Sequence, residues 1–479
     1  NRSLGRSQFY GHHSFNYLVC RAKKVVCLRH PSRGSKRLGM KRLISHISYY
    51  KGFYLAGVLA MVVISFYVAG ERAMRHAEQS EQTGPLKFLS LAWQIDAVEA
   101  VQDATAEWNR LHPEQTVEFI QGSWNAIHDY LITGFETGDI PDIFHYESAI
   151  VVDFALRGYL ADLSPYISDE LRNDILPVDW ASVTRSSGEV VGIPFINESF
   201  LVLYNQDLLE QAGLSAPSFE EPWTWDDLSH AAEKLTLDVN GDGVTDQWGL
   251  AMGLRRSANF IMNHSIAFGG SFFYEDENGN LETRVGESER DLLGRISDML
   301  YKEKTMSPSS VGKTGTEMIP GFLSGNYAML VGIGSWARQQ VVENAAEGFR
   351  WSVMPPMKAK TQAMGLNTQT LSVPKSCTRQ AQAMAFIEFL LSSENMTRLA
   401  ASDWMMPTRK SSLANPIFQE EENGWKVVTE SAQYLSAGPW VGLPGYIEWK
   451  SRVANPVFQE YFAGRLSLEK TAERIEKES

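Results

Sequence analysis

The sequence predicts an α/β protein of two lobes with a ligand cleft between them. At 479 residues the chain exceeds the size at which one hydrophobic core keeps growing. Strand, helix and strand patterns alternate from Leu86 onward, which is typical of parallel sheets with right-handed crossovers. In the stretch Gly188–Gly213, two apolar runs meet at the polar pair Asn197–Glu198. This pattern indicates a chain that crosses between lobes and places a carboxylate at the mouth of the cleft.

The charge is unevenly distributed along the chain. Residues 1–70 hold 12 Lys and Arg and no Asp or Glu, whereas residues 71–479 hold 32 basic and 57 acidic residues. An acidic body argues against nucleic acid as a partner, because phosphate binding needs a positive surface. The body contains one cysteine, Cys377, so it has no internal disulfide and depends on its core for stability.

The N-terminal region has the pattern of a targeting segment. Residues 53–69, FYLAGVLAMVVISFYVA, form an uncharged run of 17 residues that follows Lys41, Arg42 and Lys51. A basic region before an apolar run is typical of a secretory signal, and 17 residues is also near the lower limit for a membrane-spanning helix. Cleavage after the small residues that follow the run and retention as an anchor therefore both stay open.

These patterns divide the N-terminal region into three parts. We expect residues 1–39 to be a non-native or disordered basic lead, residues 40–70 a signal peptide or membrane anchor, and residues 71–84 a tether. Both outcomes place the body in the periplasm or on the outer face of the cytoplasmic membrane. No cysteine stands directly after the apolar run, which argues against a lipid anchor.

The first lobe is expected to begin with a βαβ unit. We predict a strand over Leu86–Trp93, a helix capped by Asp96, a second strand over Thr116–Ile120 and a third strand that ends at Glu147. Ligands of open α/β sheets bind beyond the carboxyl ends of the strands. That rule places six residues on one rim of the cleft: Trp93, Gln94, Ser123, Trp124, Tyr146 and Glu147.

The crossing and the second lobe follow. A strand over Val190–Ile193 is expected to stop at Pro194, which cannot donate to a sheet ladder. A second strand is predicted over Phe200–Tyr204, and a capping box is predicted from Thr224 with Asp227 three residues later. Further along, the buried strand Ala328–Val331 should deliver Ser335 and Trp336 to its carboxyl end.

Seven pieces of the body occur in the order found in one known family. They are Gly138–Asp142 running into Gly158–Leu163, Gly188–Pro194, Tyr204–Gly213, Pro222–Leu228, Asp238–Gly249, Phe322–Trp336 and Ala383–Glu394. On these pieces the body, roughly residues 85–470, resembles the extracellular solute-binding proteins of ATP-driven importers. The resemblance is to the group that carries sugars and oligosaccharides, the maltose-binding-protein-like group.

The resemblance implies the periplasmic-binding-protein fold, with two α/β lobes that close on a ligand about crossing strands. Each lobe is then a mixed or parallel sheet flanked by helices. We assign residues 85–196 with 357–405 to the first lobe and residues 197–356 with 406–479 to the second. The implied ligand is a carbohydrate, and the implied partners are the membrane permease subunits of an importer, with a monomeric binding protein.

The resemblance also transfers individual ligand contacts. Glu198 stands where sugar-binding relatives have a carboxylate in the cleft, and Trp336 matches the stacking tryptophan of the second lobe. Other matches are looser, and they comprise Trp93, Gln94 and Asp96 in the first loop, Tyr146 and Glu147 after the third strand, and Tyr446 or Trp449 in the last aromatic segment. The stretch Ser257–Phe268 departs from the family pattern, because it lacks an aromatic and acidic cluster.

The residue types suit a carbohydrate. A sugar needs planar aromatic rings to stack on its C–H faces, and carboxylates or amides to bond its hydroxyls. Trp93, Trp336 and Trp440 are candidates for stacking, although core packing is the alternative interpretation for each. Glu198 lies in an apolar context and needs a partner, and the alternative for it is a structural carboxylate of the hinge.

A separate motif, DVNGDGVTD, begins at Asp238 and resembles the first part of an EF-hand loop. Its ligands would be Asp238, Asn240, Asp242, the carbonyl of Val244 and Asp246, but Gly249 replaces the final bidentate glutamate. We expect either a structural Ca²⁺ site, completed by another carboxylate or by water, or a plain turn rich in Asx side chains. No other cofactor is expected.

Enzyme motifs are not evident. The sequence has no Gly-x-Ser-x-Gly, His-Glu-x-x-His, P-loop or Cys–His pattern, so we expect no catalytic residues. Two alternative functions stay open. One is a sensor that presents its ligand to a membrane receptor, and the other is a secreted carbohydrate-active enzyme with a pair of carboxylates.

Overall fold

The computed structural model describes residues 84–275 and 281–478. The expectations for residues 1–39, 40–70 and 71–83 lie outside these ranges. Residues Glu81–Ser479 form one compact unit. In the described part of the chain, no helix has both the length and the apolar character needed to cross a membrane.

The described chain alternates strands and helices as predicted. The strands are β1 Leu86–Ser90, β2 Val117–Gln121, β3 Ile143–Glu147, β4 Ile193–Glu198, β5 Phe200–Asn205, β6 Trp248–Met252, β7 Phe273–Glu275, β8 Leu281–Thr283, β9 Tyr327–Gly334, β10 Trp351–Val353, β11 Met364–Ser372, β12 Met406–Pro407 and β13 Leu435–Ala437. The α-helices are Ile95–Leu111, Ile127–Thr137, Ser148–Leu156, Asp169–Asp174, Pro177–Ala181, Gln206–Gln211, Trp225–Leu235, Ala258–Phe268, Glu287–Tyr301, Gly315–Leu323, Ala337–Asn344, Gln380–Leu390, Ser393–Ser402, Lys410–Leu413, Trp425–Glu430, Tyr446–Trp449, Asn455–Phe462 and Leu468–Lys477.

The first sheet has the order β12-β4-β11-β3-β1-β2, and β13 pairs with the start of β11. The predicted βαβ unit is confirmed, because β1 pairs in parallel with both β2 and β3. Alternate residues of these strands point to opposite faces. Phe88 and Ile143 belong to one buried cluster and Leu89 and Phe144 to another, so the sheet is covered on both sides. We refer to these two clusters together as the first core.

The second sheet has the order β10-β5-β9-β6. Strand β9 lies in its centre, antiparallel to β5 and parallel to β6. One large cluster of buried side chains surrounds this sheet, and we refer to it as the second core. Two separately covered mixed sheets give the α/β, two-lobed architecture that the sequence predicts.

Two strand segments connect the lobes. Strand β4 of the first sheet and β5 of the second are separated only by Ser199. Strand β11 lies between β4 and β3 in the first sheet, yet its first residues, Met364 and Leu366, belong to the second core, whereas Leu371 belongs to the first. The lobe boundaries set at residues 196, 356 and 405 stay predictions.

The prediction that Pro194 ends a strand is wrong, because β4 runs through it from Ile193 to Glu198. The register with β11 shifts at this point, where Gln369 pairs with Ile196 and Thr370 with Pro194. A β-bulge of this kind accommodates a residue that has no N–H to donate. The polar pair Asn197–Glu198 consequently ends β4 at the junction itself.

Helix ends follow the expected chemistry with one exception. The capping box of Thr224 and Asp227 is confirmed, with Thr224 Oγ1 accepting from the Asp227 N–H and the Asp227 carboxylate accepting from the Thr224 N–H. The expectation that Asp96 caps the first helix is wrong. Gln94 is the N-cap residue, and Asp96 lies exposed in the first turn, where its charge favours the helix dipole.

Candidate functional site

The turn that carries Trp336 is formed by a bulge in the second sheet. Leu201 pairs with Ile333 and Val202 with Val331, so Gly332 is left over between them. Its φ of 74° is the left-handed conformation that glycine adopts most readily. Strand β9 therefore ends with Gly334 opposite Phe200, and Ser335 and Trp336 follow at its carboxyl end as predicted. The Ser335 N–H donates to the Ser199 carbonyl at 2.9 Å.

Glu198 is the centre of the polar group at this junction. Its Oε1 accepts from the indole Nε1 of Trp336 at 2.8 Å, and its Oε2 accepts from Asn367 Nδ2 at 2.9 Å. Asn367 pairs with Glu198 across β11 and β4. The close fit extends to Gly334, because a Cβ there would lie 2.3 Å from Glu198 Oε1. The carboxylate, which ends β4, is thus held by Asn367 of β11 and by Trp336 in the turn after β9.

A second carboxylate and a lysine stand beside this group. Glu147, at the end of β3, lies with its Oε1 3.5 Å from Asn367 Nδ2 and its Oε2 3.8 Å from Lys450 Nζ. Both separations are at or beyond the limit of a hydrogen bond. Glu147 therefore retains capacity to accept from a ligand, unlike Glu198, whose two oxygens each have a near donor. The Glu147 and Lys450 side chains are only 16% and 17% exposed.

The charges in this group influence one another. Burial raises the pKa of Glu198, and the hydrogen bond from Asn367 opposes that shift. Burial also opposes the charged form of Lys450, but Tyr446 and the two carboxylates outweigh it, so the pKa of the ammonium is raised. Lys450 Nζ also lies 5.3 Å from the centre of the Tyr446 ring, a cation–π distance.

Aromatic rings from the two lobes meet beside the carboxylates. Trp93 and Trp336 pack edge to face, with ring centroids 5.4 Å apart and an interplanar angle of 80°. Trp93 is 45% exposed, and half-buried Trp336 packs against both the first and the second core. An exposed indole face next to unsatisfied polar groups is a surface on which a sugar ring can stack.

Gln94 lies beneath this surface and does not face solvent. It is 4% exposed, and its Nε2 donates to the carbonyl of Asp403 at 2.9 Å and to Asp403 Oδ1 at 3.2 Å. Burial raises the pKa of Asp403 to about 7, the hydrogen bond from Gln94 opposes this, and the charge of Glu198 adds to it. Asp403 is therefore a third carboxyl group at the junction.

The rest of the predicted first-lobe rim forms an aromatic layer behind Glu147. Tyr146 is 5% exposed, and Trp124 packs against it with ring centroids 6.2 Å apart. Trp124 also packs edge to face on His145 at 5.6 Å. His145 Nδ1 accepts from the Leu91 N–H while Nε2 bonds Gln369, and burial lowers the pKa of this imidazole to about 3. A neutral histidine thus anchors the end of β3.

The predicted aromatics of the C-terminal segment are mostly buried. Trp440 is 4% exposed and stacks on Tyr446, which is 3% exposed, with ring centroids 6.2 Å apart. Trp449 packs edge to face on Phe273 at 4.8 Å and lines a cavity of about 840 Å³ on the side of the second lobe. Ser335 is fully buried, and its Oγ has no hydrogen-bond partner in the described structure.

The structure gathers some predicted site residues and separates others. Five lie around the junction: Trp93, Glu147, Glu198, Trp336 and Tyr446. Three others lie apart: Asp96 is exposed, Trp440 is buried behind Tyr446, on which it stacks, and Trp449 lies at the cavity. Sequence reasoning missed Asn367, Lys450 and Asp403. The ligand-binding roles of all these residues stay predictions.

The acidic loop from Asp238 forms Asx turns. Asp238 Oδ2 accepts from the Gly243 N–H at 2.7 Å, Asp242 Oδ1 from the Val244 N–H at 2.8 Å, and Asp246 Oδ2 from the Val239 N–H at 2.9 Å. Asn240 Nδ2 donates to Asp246 Oδ1 at 3.2 Å. Within residues 84–275 and 281–478, no group of three or more His, Cys, Asp or Glu side chains is arranged to hold a metal ion. Calcium binding at this loop stays a prediction.

Two mixed sheets, two strand crossings and a polar, aromatic group at their junction define the class of a two-lobed binding protein. The chain belongs to the bacterial extracellular solute-binding protein family, whose model matches residues 92–397. This membership confirms the resemblance found in the sequence, and it places the body outside the cytoplasm.

Individual relatives agree with this assignment. The chain is 37% identical to a lipoprotein from the oleD 5′ region of Streptomyces antibioticus, over 86% of this chain and 89% of the relative. It is 21% identical to the arabinooligosaccharide-binding protein of Halalkalibacterium halodurans, over 70% of this chain and 74% of the relative. The solved sugar-binding protein MalE of Xanthomonas citri has the same fold, with a TM-score of 0.71 at 19% identity over 82% of this chain and 96% of that chain.

Proposed function

We propose that this protein captures a carbohydrate at the lobe junction and delivers it to an ATP-driven importer in the cytoplasmic membrane. The observation that carries the proposal is the connection of Glu147 and Lys450, through Asn367 and Glu198, to the paired rings of Trp93 and Trp336. An ammonium and a carboxylate next to each other offer donors and an acceptor to neighbouring hydroxyls, while an exposed indole offers a stacking face. The arabinooligosaccharide-binding relative and the sugar-binding structural neighbour support a carbohydrate ligand.

Capture would proceed by closure of the lobes. Glu147 and Trp93 belong to the first lobe, and Trp336 and Lys450 lie on the side of the second, so a ligand that touches all four is held from both sides. A ligand favours the closed form only by the extra contacts that closure makes. In this proposal Glu198 positions Trp336, and Glu147 is the carboxylate that meets the sugar first.

The proposal covers the surroundings of the protein as well. The body acts as a monomeric binding protein without catalytic activity and without a required cofactor, in contact with permease subunits. It works in the periplasm or on the outer face of the membrane, according to whether residues 40–70 are cleaved or retained.

An uptake experiment tests the role in import. Loss of ligand uptake in cells that lack the protein, with return of uptake on re-expression, supports that role. Normal uptake together with a lost behavioural response to the ligand would favour the sensor.

A ligand screen tests the carbohydrate. Thermal denaturation of the purified protein is measured with monosaccharides, oligosaccharides, polyamines, peptides and phosphate esters. A rise in melting temperature with a carbohydrate alone supports the proposal, and a rise only with a member of another class overturns it. Chromatography of the same oligosaccharide mixtures shows whether products form, which would favour the secreted enzyme.

Two variants connect the ligand to the site. Glu147→Gln removes the charge and one acceptor oxygen, and Lys450→Met removes a charged donor. Each is expected to weaken binding of the identified carbohydrate about tenfold or more, because hydrogen bonds to charged groups contribute about 1.5–3 kcal/mol. Lys375→Met is the matched control, since Lys375 is an exposed first-lobe residue outside the junction group. Unchanged affinity in both site variants would place the ligand elsewhere.

A further inference from the structure

Arg338 is a buried cation at the lobe junction, and it makes none of the contacts described for Glu147, Glu198 and Lys450. It is 0% exposed and stands second in the helix Ala337–Asn344, whose Ala337 and Val341 belong to the second core. Burial lowers the pKa of its guanidinium to about 9, which leaves the group charged at neutral pH. Among the ion pairs of the described residues, none includes Arg338. A buried charge without a carboxylate needs other partners, because the transfer from water is costly.

Three backbone carbonyls supply those partners. Nε donates to the Ser335 carbonyl at 3.0 Å, Nη1 to the Asn423 carbonyl at 3.1 Å and Nη2 to the Trp404 carbonyl at 2.8 Å. The first is in the turn after β9, and the third is in a segment that packs against the first core. The second precedes Gly424, which lies against Val353 of β10 in the second sheet. Arginine suits this arrangement, since its planar fork presents donors in several fixed directions.

Two tryptophan rings at the first core complete the surroundings of the guanidinium. Arg338 Cζ lies 4.1 Å from the centre of the Trp425 ring and 5.5 Å from that of Trp404. The two tryptophan rings stack on each other, with centroids 5.3 Å apart and an interplanar angle of 23°. Trp425 belongs to the first core and Trp404 packs against it. The guanidinium of a helix that packs in the second core is therefore inserted among side chains of the first core.

The two carbonyls held by the Nη atoms share a backbone feature. Trp404 has a φ of 55° and Asn423 a φ of 58°, so both residues adopt the left-handed conformation. This conformation is unfavourable for tryptophan and persists where surrounding contacts enforce it, whereas asparagine adopts it more readily. A hydrogen bond from a buried charge to the Trp404 carbonyl is a contact of that strength. Two separate segments thus turn through the left-handed region where they present their carbonyls to one guanidinium.

We propose that Arg338 is a positioning residue: it makes the position of the Trp336 ring depend on the first-core residues that surround the guanidinium. Its Nε bond holds the carbonyl of Ser335, which directly precedes Trp336, while its Nη2 bond holds the carbonyl of Trp404, which packs against the first core. The Trp336 indole in turn bonds Glu198 and packs on Trp93. Movement between the lobes is transmitted through the guanidinium to the turn that carries the indole. The effect on ligand affinity rests on the proposed function, whereas the position of the ring does not.

The test reads the Trp336 ring directly, without ligand. The protein is labelled with 5-fluorotryptophan, and the Trp336 resonance is identified as the ¹⁹F signal that disappears in Trp336→Phe. Arg338→Met is expected to shift or broaden that resonance. Arg338→Lys keeps the charge but has no fork, and it is expected to give a smaller change in the same direction. Arg398→Met is the matched control, because Arg398 forms an exposed ion pair with Asp103 on the first lobe.

The outcomes separate this inference from the function on which part of it rests. A folded Arg338→Met protein with an unchanged Trp336 resonance overturns the inference, and if that variant does not fold, the resonance in Arg338→Lys decides in the same way. If a carbohydrate binds the parent, we expect Arg338→Met to weaken its affinity at least tenfold and Arg398→Met to leave it unchanged. If Arg338→Met shifts the Trp336 resonance but the parent binds no carbohydrate, the positioning role is supported and the proposed function is contradicted.

Discussion

The indole N–H of Trp336 donates to Glu198 Oε1 over 2.8 Å, so the residue that ends β4 is joined to the turn that follows β9. The two residues are 138 positions apart in the chain. Asn367 of β11 also donates to Glu198, so β4, β11 and the turn after β9 meet at one carboxylate. The ring of Trp336 therefore cannot turn toward or away from a ligand without breaking a hydrogen bond to a charged group.

The first prediction concerns this bond. Trp336→Phe keeps an aromatic face but removes the N–H, and it is expected to weaken carbohydrate binding about tenfold because the ring loses its fixed orientation. Isothermal titration with the identified ligand measures the change. Trp248→Phe, in β6 and away from the junction, is the matched control and should bind like the parent. Equal affinity for parent and Trp336→Phe would contradict the orienting role of the bond.

The second prediction uses two glycines. A Cβ at Gly334 would lie 2.2 Å from Trp336 Nε1, so Gly334→Ala must displace the indole or the carboxylate. We expect it to abolish ligand binding. A Cβ at Gly294 meets nothing within 4 Å, and this residue lies inside the helix Glu287–Tyr301. Gly294→Ala should therefore raise the free energy of unfolding by about 0.5–1 kcal/mol and leave binding intact. Chemical denaturation and titration of both variants provide the measurements, and ligand binding by Gly334→Ala would contradict the close fit.

The third prediction concerns pH. Asp179 is fully buried, Asn197 Nδ2 donates to its Oδ1 at 2.7 Å, and burial raises the pKa of this carboxyl from 3.8 to about 7. A raised pKa means that the folded state binds the proton more tightly than the unfolded state. Its contribution to stability is thus fully present below about pH 4 and is lost as the pH rises through 7.

Asp179→Asn removes this titration while it keeps an acceptor for Asn197. We expect the melting temperature of the variant to fall less than that of the parent between pH 4 and 7. A residual slope is expected from Asp403, whose pKa is also raised by burial to about 7. Asp169→Asn, at an exposed position in the first lobe, should leave the profile of the parent unchanged. Parallel profiles for parent and Asp179→Asn would show that Asp179 does not titrate in this range.

The fourth prediction concerns the loop from Asp238. If the partial EF-hand pattern binds Ca²⁺, the ion raises the melting temperature because it binds the folded loop and not the unfolded chain. Asp242→Ala should remove that rise, since it deletes the ligand at the fifth position of the loop. Melting curves of parent and variant with Ca²⁺ and with EGTA make the comparison. An identical melting temperature of the parent in both solutions would leave the loop as a set of Asx turns.

Much of the fold was predictable because its signals are local. Apolar periodicity placed most strands and helices within a few residues, and the order of short motifs indicated the family. Pro194 was misread, because its exclusion from strands is relaxed by a register shift that only the pairing of β4 with β11 reveals. The cap assigned to Asp96 is wrong, since the helix begins at Ile95, two residues earlier than an N-cap at Asp96 implies.

The candidate site was only partly predictable, because its members come from distant strands. Glu198 and Trp336 were identified by their places beside a crossing and at the end of a buried strand. Asn367 was missed, since a polar residue within β11 carries no mark of the pairing that brings it to Glu198. Lys450 was missed because a lysine next to Trp449 carries no local mark of its approach to Glu147, which is far away in the chain. Burial of Gln94 under Asp403 depends on packing between residues 309 positions apart, which no local pattern contains.

Strand β11 has a consequence for the order in which the protein can be made. It lies between β4 and β3 in the first sheet, but roughly 165 residues separate the end of β4 at Glu198 from its start at Met364. At about 5–20 residues synthesised per second, that interval takes on the order of ten seconds or more. Until then β3 and β4 have unpaired edges, which are templates for pairing with other chains. The N-terminal half of the body therefore leaves the ribosome with its sheet incomplete, and residues 85–198 cannot serve as an independent fragment of the protein.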